Sequence, residues 1–197
     1  MPALQPVSKA LLLACVAIFA LQELLPSALE PWFALWPLAS GVFMPWQLFS
    51  YAFLHGDLWH IFMNMLVLWM FGADLERLWG PRRYMLFIVA SILAAALVQL
   101  GWTAFMGSRA PTLGFSGATY GLLLGFGMMF PNRMVMLLIP PIPMKAKYFV
   151  LLFIVLELVL GVGGHDGIAH FAHLGGMVGG FLMILYWRGK GPFRRLP

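Results

Sequence analysis

The stretch Gly114-Phe115-Ser116-Gly117-Ala118-Thr119-Tyr120-Gly121 opens an apolar run that extends to about Phe130. A second stretch, Ala172-His173-Leu174-Gly175-Gly176, stands near the start of another apolar run. A serine hydroxyl becomes a good nucleophile when a neighbouring base takes its proton, and a neutral imidazole is such a base. The two stretches therefore predict that Ser116 and His173 meet near one end of two packed helices.

The composition predicts a membrane protein. The 197 residues are 62% hydrophobic and 10% charged, whereas a soluble domain carries roughly 25% charged residues. The net charge of +5 comes from Lys and Arg in short loops between apolar runs, which is typical of membrane topology and argues against nucleic acid as a partner. The single cysteine, Cys15, excludes an internal disulfide and is expected to be an inert thiol in the core.

Six apolar runs follow one another along the chain. They cover roughly residues 10–25, 58–79, 84–105, 115–130, 148–162 and 168–187. None alternates as a strand would, and backbone in lipid must satisfy its own hydrogen bonds. We therefore expect an all-α membrane protein, a bundle of six transmembrane helices forming one domain over residues 1–197. Runs one, four and five are shorter than the roughly 20 residues of a typical spanning helix.

The segment 26–56 differs from the apolar runs on either side. It carries Trp32, Trp36, Trp46 and Tyr51 among prolines and glycines, with almost no charge. Aromatic side chains with a polar tip concentrate at the membrane interface. This first loop is therefore expected to be embedded in the membrane surface along the bundle.

The basic residues predict the orientation of the chain. If the N-terminus is cytoplasmic, Arg109 alone lies on the outer side, against eleven basic residues on the inner side. Both termini are therefore expected in the cytoplasm. The apolar stretch between Lys9 and Cys15 is shorter than the roughly 7–15 residues of a signal-peptide core, so the first run is expected to span the membrane. The inner set is Lys9, Arg77, Arg82, Arg83, Arg133, Lys145, Lys147, Arg188, Lys190, Arg194 and Arg195.

Four polar residues from three helices share one depth in this topology. Ser116 and His173 lie near the outer ends of their runs, and His60 and Asn64 lie one turn apart on the second run. Unpaired polar groups are costly in lipid, so these residues are expected to meet. The free N–H groups at the start of the fourth helix, that of Ser116 included, together with the side chains of His60 and Asn64, suit an oxyanion.

Glycines predict which helices touch. Gly117, Gly121 and Gly125 recur every four residues on run four. Gly175 and Gly179, and likewise Gly176 and Gly180, do so on run six. Such small-residue rows let helix backbones approach closely. Because Gly176 and Gly180 share a face with His173, helices four and six are expected to pack directly.

The third member of a catalytic triad is not evident in the sequence. Most acidic residues lie at helix ends or in loops, and Glu157 lies in the middle of run five. At that depth Glu157 is expected to be too far from His173 to reach it, so the sequence predicts a Ser–His dyad and gives Glu157 no role.

Each of these signals has an ordinary structural explanation. A serine at a helix start is usually a cap, a lone membrane histidine usually a hydrogen-bonding group, and a glycine row usually only packing. Their agreement in depth and face favours catalysis. Gly114–Ala118 is not the G-x-S-x-G elbow of α/β hydrolases, because the second glycine comes one residue early and no strand precedes it.

Several motifs resemble those of the rhomboid intramembrane serine proteases, in their minimal six-helix bacterial form. Gly114–Gly117 matches the G-x-S-G motif, and Ala172–Gly180 matches A-H-x-x-G-x-x-x-G. His55, His60 and Asn64 match H-x-x-x-x-H-x-x-x-N. Tyr120 and the set Gly72, Glu76 and Gly80 also have counterparts in the family.

The resemblance implies roles for these residues. Ser116 would be the nucleophile, His173 the base, His60 and Asn64 oxyanion donors, and Tyr120 would pack on the histidine. His170 lacks the following glycine spacing, so His165 and His170 are expected to be structural or interfacial. Many relatives have arginine where this chain has Gln47, which leaves that arginine's role open. Supporting roles fall to His55, Gly114, Gly117, Gly176 and Gly180.

The resemblance also implies a function and a place. Such proteins cleave single-span membrane proteins near the outer face of the bilayer, here that of a bacterial inner membrane, without metal or cofactor. Run five would act as a lateral gate and residues 161–167 as a flexible cap. Two alternatives remain open: a proteolytically inactive relative that binds membrane clients, and a channel or transporter. Against the channel, only one half of the membrane is lined by polar groups, and no internal repeat is visible.

Overall fold

A computed structural model describes residues 3–137, 140–163 and 168–190. Most of these residues are helical. The central part of the predicted cap, with His165 and Asp166, lies outside the described residues, as do Arg194 and Arg195.

Short elements follow the first helix. Helix α1 covers Pro6–Leu24, as expected for run one. The first loop then contains two four-residue helices and two 3₁₀ turns. These are α2 (Glu30–Phe33), a 3₁₀ turn (Leu38–Ser40), α3 (Gln47–Ser50) and a second 3₁₀ turn (Tyr51–Phe53).

The remaining helices coincide with the other predicted runs. Run two is helical from Leu58 to Trp79, with a π-helical turn in its middle, and Gly80-Pro81 separates it from the next helix as expected. Runs four, five and six each form one helix. The elements are α4 (Leu58–Val67), the π turn (Leu68–Gly72), α5 (Ala73–Trp79), α6 (Pro81–Met106), α7 (Ser116–Met129), α8 (Ala146–Gly163) and α9 (His170–Lys190).

A small hairpin joins α7 to α8, where the sequence predicted only a stiff proline link. Strand β1 (Met134–Met136) pairs antiparallel with β2 (Pro143–Lys145), and Val135 lies opposite Met144. Three residues are too few for a period of two to be recognised in a sequence.

The helices have the length and surface of membrane spans. In the described part of the chain, Pro6–Leu24, Leu58–Trp79 and Pro81–Met106 are long and apolar enough to cross a bilayer. Large apolar side chains cover the outside of the bundle, among them Leu97 and Leu182, which are 61% and 57% exposed. Lipid stabilises such a surface, whereas water does not. The number of six spans stays a prediction.

Helix α9 packs between α6 and α7 through two rows of glycines. A Cβ atom at Gly176 would lie 1.9 Å from the carbonyl oxygen of Gly117, so the backbones of α9 and α7 touch there. Gly175 faces the other way, where a Cβ would lie 2.9 Å from the carbonyl oxygen of Ala94 on α6. The predicted direct packing of the fourth and sixth helices is confirmed.

The first loop is anchored by Tyr51 and Gln47. Trp32 and Trp46 are about half exposed, at 58% and 49%. Tyr51 is instead buried within the protein: it is 1% exposed and its hydroxyl donates to the carbonyl oxygen of Ile92 on α6 at 2.9 Å. A tyrosine side chain in a loop can point towards lipid or towards the protein core. Here the hydrogen bond to α6 holds the Tyr51 side chain in the core.

Gln47 is fully buried at the centre of the first loop. Its side-chain oxygen accepts from the backbone N–H groups of Trp36 and Met44 at 3.3 and 3.2 Å. Its amide nitrogen donates to the carbonyl oxygen of Trp32 at 3.3 Å. Gln47 therefore ties together the backbone at Trp32, Trp36 and Met44 within the first loop.

Candidate active site

Ser116 and His173 lie in direct contact. Ser116 is the first residue of α7, and its Oγ is 2.9 Å from Nε2 of His173 in the first turn of α9. His173 is 8% exposed. The glycine contact between α7 and α9 favours this short distance, because Gly117 directly follows Ser116 and Gly176 lies one turn after His173.

The loop before Ser116 is shaped by Gly114. This residue has φ of +127°, which side chains with a Cβ rarely adopt. A Cβ there would lie 2.7 Å from Nε2 of His60 and 3.7 Å from Oγ of Ser116. The absence of a side chain at Gly114 therefore brings the His60 ring close to the serine.

Tyr120 lies one turn after Ser116 and covers the histidine. Its ring is parallel to the His173 imidazole, with centroids 4.2 Å apart and an angle of 6° between the planes. The resemblance to rhomboid proteases implied this contact. The stack fixes the plane of the imidazole, so that Nε2 stays directed at Ser116.

Glu157 contacts His173, and the expectation that it lies too deep is wrong. Its Oε2 is 2.9 Å from Nδ1 of His173 and 2.7 Å from Nδ1 of His170. The hydroxyl of Tyr120 donates to its Oε1. Glu157 lies six positions before the end of α8, about 9 Å along the axis, and His173 lies about 5 Å into α9 by the same rise. Glu157 and His173 therefore lie at similar depths, and the glutamate side chain is long enough to bridge the remaining difference.

His170, for which only a structural or interfacial role was expected, also belongs to this cluster. Glu157, His170 and His173 are all buried, and their ligand atoms lie within 4.8 Å of one another. Histidine and carboxylate groups in that spacing could also hold a metal ion.

His60 and Asn64 form a second polar group beside the serine. Nδ1 of His60 accepts from the N–H of Gly56 at 3.4 Å, and the amide nitrogen of Asn64 donates to the carbonyl oxygen of His60 at 3.1 Å. The hydroxyl of Thr119 lies 3.2 Å from Oδ1 of Asn64 and 3.0 Å from the carbonyl oxygen of Ser116. Thr119 was missed by the sequence argument, although its place one turn after Ser116 could have indicated it.

His55 is buried beside His60. Within the described part of the chain it makes no hydrogen bond to Ser116. It is 2% exposed, its ring centroid lies 5.2 Å from that of His60, and neither ring nitrogen has a hydrogen-bond partner among the described residues. Burial, and after it the neighbouring His60, lower the pKa of His55 to about 4. His55 is therefore neutral at physiological pH.

The chain is similar in sequence to a known protein family and to several of its members. The rhomboid domain family matches residues 42–190, well over half of the chain. Rhomboid protease GlpG of Serratia proteamaculans is 31% identical over 189 residues, which cover 92% of this chain and 62% of that protein. Rhomboid protein 1, mitochondrial, of Saccharomyces cerevisiae is 34% identical over 140 residues, covering 68% of this chain and 40% of that protein. The chain thus spans less than two thirds of the length of these relatives.

Proposed function

This chain belongs to the rhomboid family, and we propose that it is a serine-type endopeptidase that cleaves single-span membrane proteins within the bilayer. The observation that carries the proposal is the 2.9 Å contact between Oγ of Ser116 and Nε2 of His173. This contact lies in a bundle whose outer surface is apolar. A hydroxyl next to an imidazole is the arrangement that nucleophilic catalysis requires.

The proposed reaction begins with a proton transfer. Nε2 of His173 accepts the proton of the Ser116 hydroxyl as Oγ attacks the carbonyl carbon of the scissile bond. His173 then donates this proton to the leaving amine, and an acyl-enzyme remains on Ser116. A water molecule, deprotonated by His173, hydrolyses the ester and restores both side chains.

The negative charge of the tetrahedral intermediate would fall beside several donors. The N–H of Ser116 belongs to the first turn of α7, where N–H groups lack helical partners. Nδ1 of His60 accepts a hydrogen bond from Gly56, so the neutral ring carries its proton on Nε2, the atom next to Gly114. Asn64 has a second amide hydrogen besides the one given to His60. Each such donor lowers the barrier by roughly 3–4 kcal/mol.

The orientation proposed for the chain places this site near the outer face. With the N-terminus in the cytoplasm, α7 starts on the outer side, as do α4 and α9, and water reaches Ser116 from outside. A bacterial inner membrane suits the excess of Lys and Arg in the inner loops. A peptide bond in a formed helix is shielded, so the substrate must unwind locally before cleavage.

Substrate entry is proposed to occur sideways, past α8. This helix presents apolar side chains such as Val155 and Val159 outwards, at 48% and 62% exposure, and carries Glu157 on its inner side. A crosslink between α8 and α4 is expected to abolish cleavage of membrane substrates while sparing a small soluble serine probe. Full cleavage by the crosslinked protein would contradict the gate.

The proposed chemistry is tested with a fluorescent fluorophosphonate, which labels only activated serines. The purified wild type is expected to be labelled, whereas the Ser116→Ala and His173→Ala variants are expected to remain unlabelled. The control variant Ser108→Ala, in the loop after α6, should be labelled as the wild type is. A folded wild type without labelling would instead favour the client-binding protein without catalysis. Ion or solute flux through liposomes, unchanged in Ser116→Ala, would favour the channel.

A further inference from the structure

We propose that Glu157 is a positioning residue for catalysis, which makes the site a Ser116–His173–Glu157 triad. The inference rests on the proposed function, because it concerns the base of the same reaction. It starts from the finding that a carboxylate on α8 contacts the imidazole nitrogen opposite the serine.

The environment of Glu157 argues for a specific task. Glu157 is 5% exposed on α8, where Leu156 and Leu158 beside it are 41% and 47% exposed on the apolar surface. A carboxylate in such a place is costly to bury unless every lone pair finds a donor. Both of its oxygens are bonded, Oε1 by Tyr120 and Oε2 by the two histidines. The carboxylate is therefore fixed in one orientation.

That orientation decides the tautomer of His173. A carboxylate only accepts hydrogen bonds, so the proton of the neutral imidazole must be on Nδ1, which faces Oε2. The lone pair is then on Nε2, which faces Oγ of Ser116 at 2.9 Å. In the other tautomer Nε2 would carry a hydrogen and could not accept the serine proton.

The proton balance of the step is simple. The hydrogen on Oγ of Ser116 moves to Nε2 of His173 as the bond from Oγ to the substrate carbon forms. The hydrogen on Nδ1 stays on the ring, and the carboxylate of Glu157 stabilises the resulting imidazolium without taking a proton. No further reactant is required.

Tyr120 contacts both other residues that surround the reacting serine, His173 and Glu157. It lies on α7 four residues after Ser116, stacks on the imidazole of His173, and donates its hydroxyl to Glu157. His170 adds a second hydrogen bond to Oε2, from a position one turn before His173 on α9. Three helices thus contribute to one fixed geometry, in which displacement of Glu157 would free the imidazole to rotate or to change tautomer.

The first test compares Glu157→Gln and Glu157→Asp with wild type and with Glu23→Gln, an exposed acid-to-amide control on α1. The Gln variant keeps the size of the side chain, but it can turn its amide towards Nδ1 and select the unproductive tautomer. Its rate of fluorophosphonate labelling is expected to fall by roughly 10²–10⁴-fold. For a membrane substrate the fall should appear in kcat with KM unchanged. The Asp variant, which keeps the charge, should recover part of the rate.

A loss of less than about threefold in Glu157→Gln, with labelling of the wild type intact, would overturn the positioning role and leave the proposed function standing. Absence of labelling in the wild type would instead overturn the proposed function itself.

The second test does not depend on activity and covers the case in which Glu157→Gln folds poorly. In the inactive Ser116→Ala protein, ¹⁵N NMR of labelled histidine distinguishes protonated from unprotonated ring nitrogens. His173 is expected to carry its proton on Nδ1 when Glu157 is present. A proton on Nε2 in that protein would overturn the inference.

Discussion

The Tyr120 ring lies flat on the His173 imidazole, at a centroid distance of 4.2 Å, while its hydroxyl donates to Glu157. Two variants separate these contacts. Tyr120→Phe keeps the stack but removes one donor from the carboxylate, at a cost of about 1–3 kcal/mol in stability, and it should slow labelling several-fold. Tyr120→Leu removes both and should slow labelling further. Labelling rates and thermal midpoints in detergent check the order, and equal rates in the two variants would show that the stack contributes nothing.

Substitution of Gly176 tests the close packing of α9 against α7. An alanine Cβ would lie 1.9 Å from the carbonyl oxygen of Gly117, so Gly176→Ala must push the helices apart. We expect a loss of about 1–3 kcal/mol or more in stability, with little or no labelling of Ser116. Gly189→Ala is the matched control and should retain both, because no atom of the described residues lies within 4 Å of the added Cβ. Wild-type labelling by Gly176→Ala would contradict the close approach.

Glu76 holds the start of α1 against α5. Its carboxylate accepts from the N–H groups of Val7 and Ser8 and from the Ser8 hydroxyl, each at 2.8 Å. Charge-assisted hydrogen bonds to helix N–H groups are strong. Glu76→Gln is therefore expected to lose about 1–3 kcal/mol, measured as a lower thermal midpoint. Glu23→Gln should stay within about 0.5 kcal/mol of wild type. Equal midpoints for the two variants would refute the anchoring role.

His55 predicts a pH dependence of stability. Its pKa is lowered to about 4 in the folded protein, whereas an unfolded histidine titrates near 6.5. As pH falls from about 6.5 to 4 the unfolded chain binds a proton that the folded chain does not, so stability decreases, by at most about 1.4 kcal/mol per pH unit.

The comparison for His55 is His55→Phe, which keeps a ring of similar shape and cannot titrate. Unfolding is followed from pH 7.5 to 4, and the wild type should lose more stability than the variant over that interval. His60 and Asp57, the titratable neighbours of His55, are unchanged in both proteins. Parallel pH profiles would contradict the prediction.

The helices and most of the site could be predicted from the sequence because lipid imposes simple rules. Backbone in a bilayer must satisfy its own hydrogen bonds, so apolar runs without strand alternation are expected to be helices. The spacing of glycines around Ser116 and His173 indicated which of these helices touch. Glu157 could not be placed, because the level that a residue reaches depends on where each helix begins and how the side chain extends. Tyr51 and Gln47 are fixed by hydrogen bonds to distant backbone groups, which no local pattern reveals.

The most direct measurement of the central claim is cleavage of a single-span membrane protein reconstituted with this protein in liposomes. A substrate with a small residue before an easily unwound segment is expected to yield two fragments with the wild type. Ser116→Ala and His173→Ala, shown to be folded, should yield none. Cleavage that persists in Ser116→Ala, or a folded wild type that leaves substrates of this kind intact while a GlpG protease in parallel liposomes cuts them, would contradict the account.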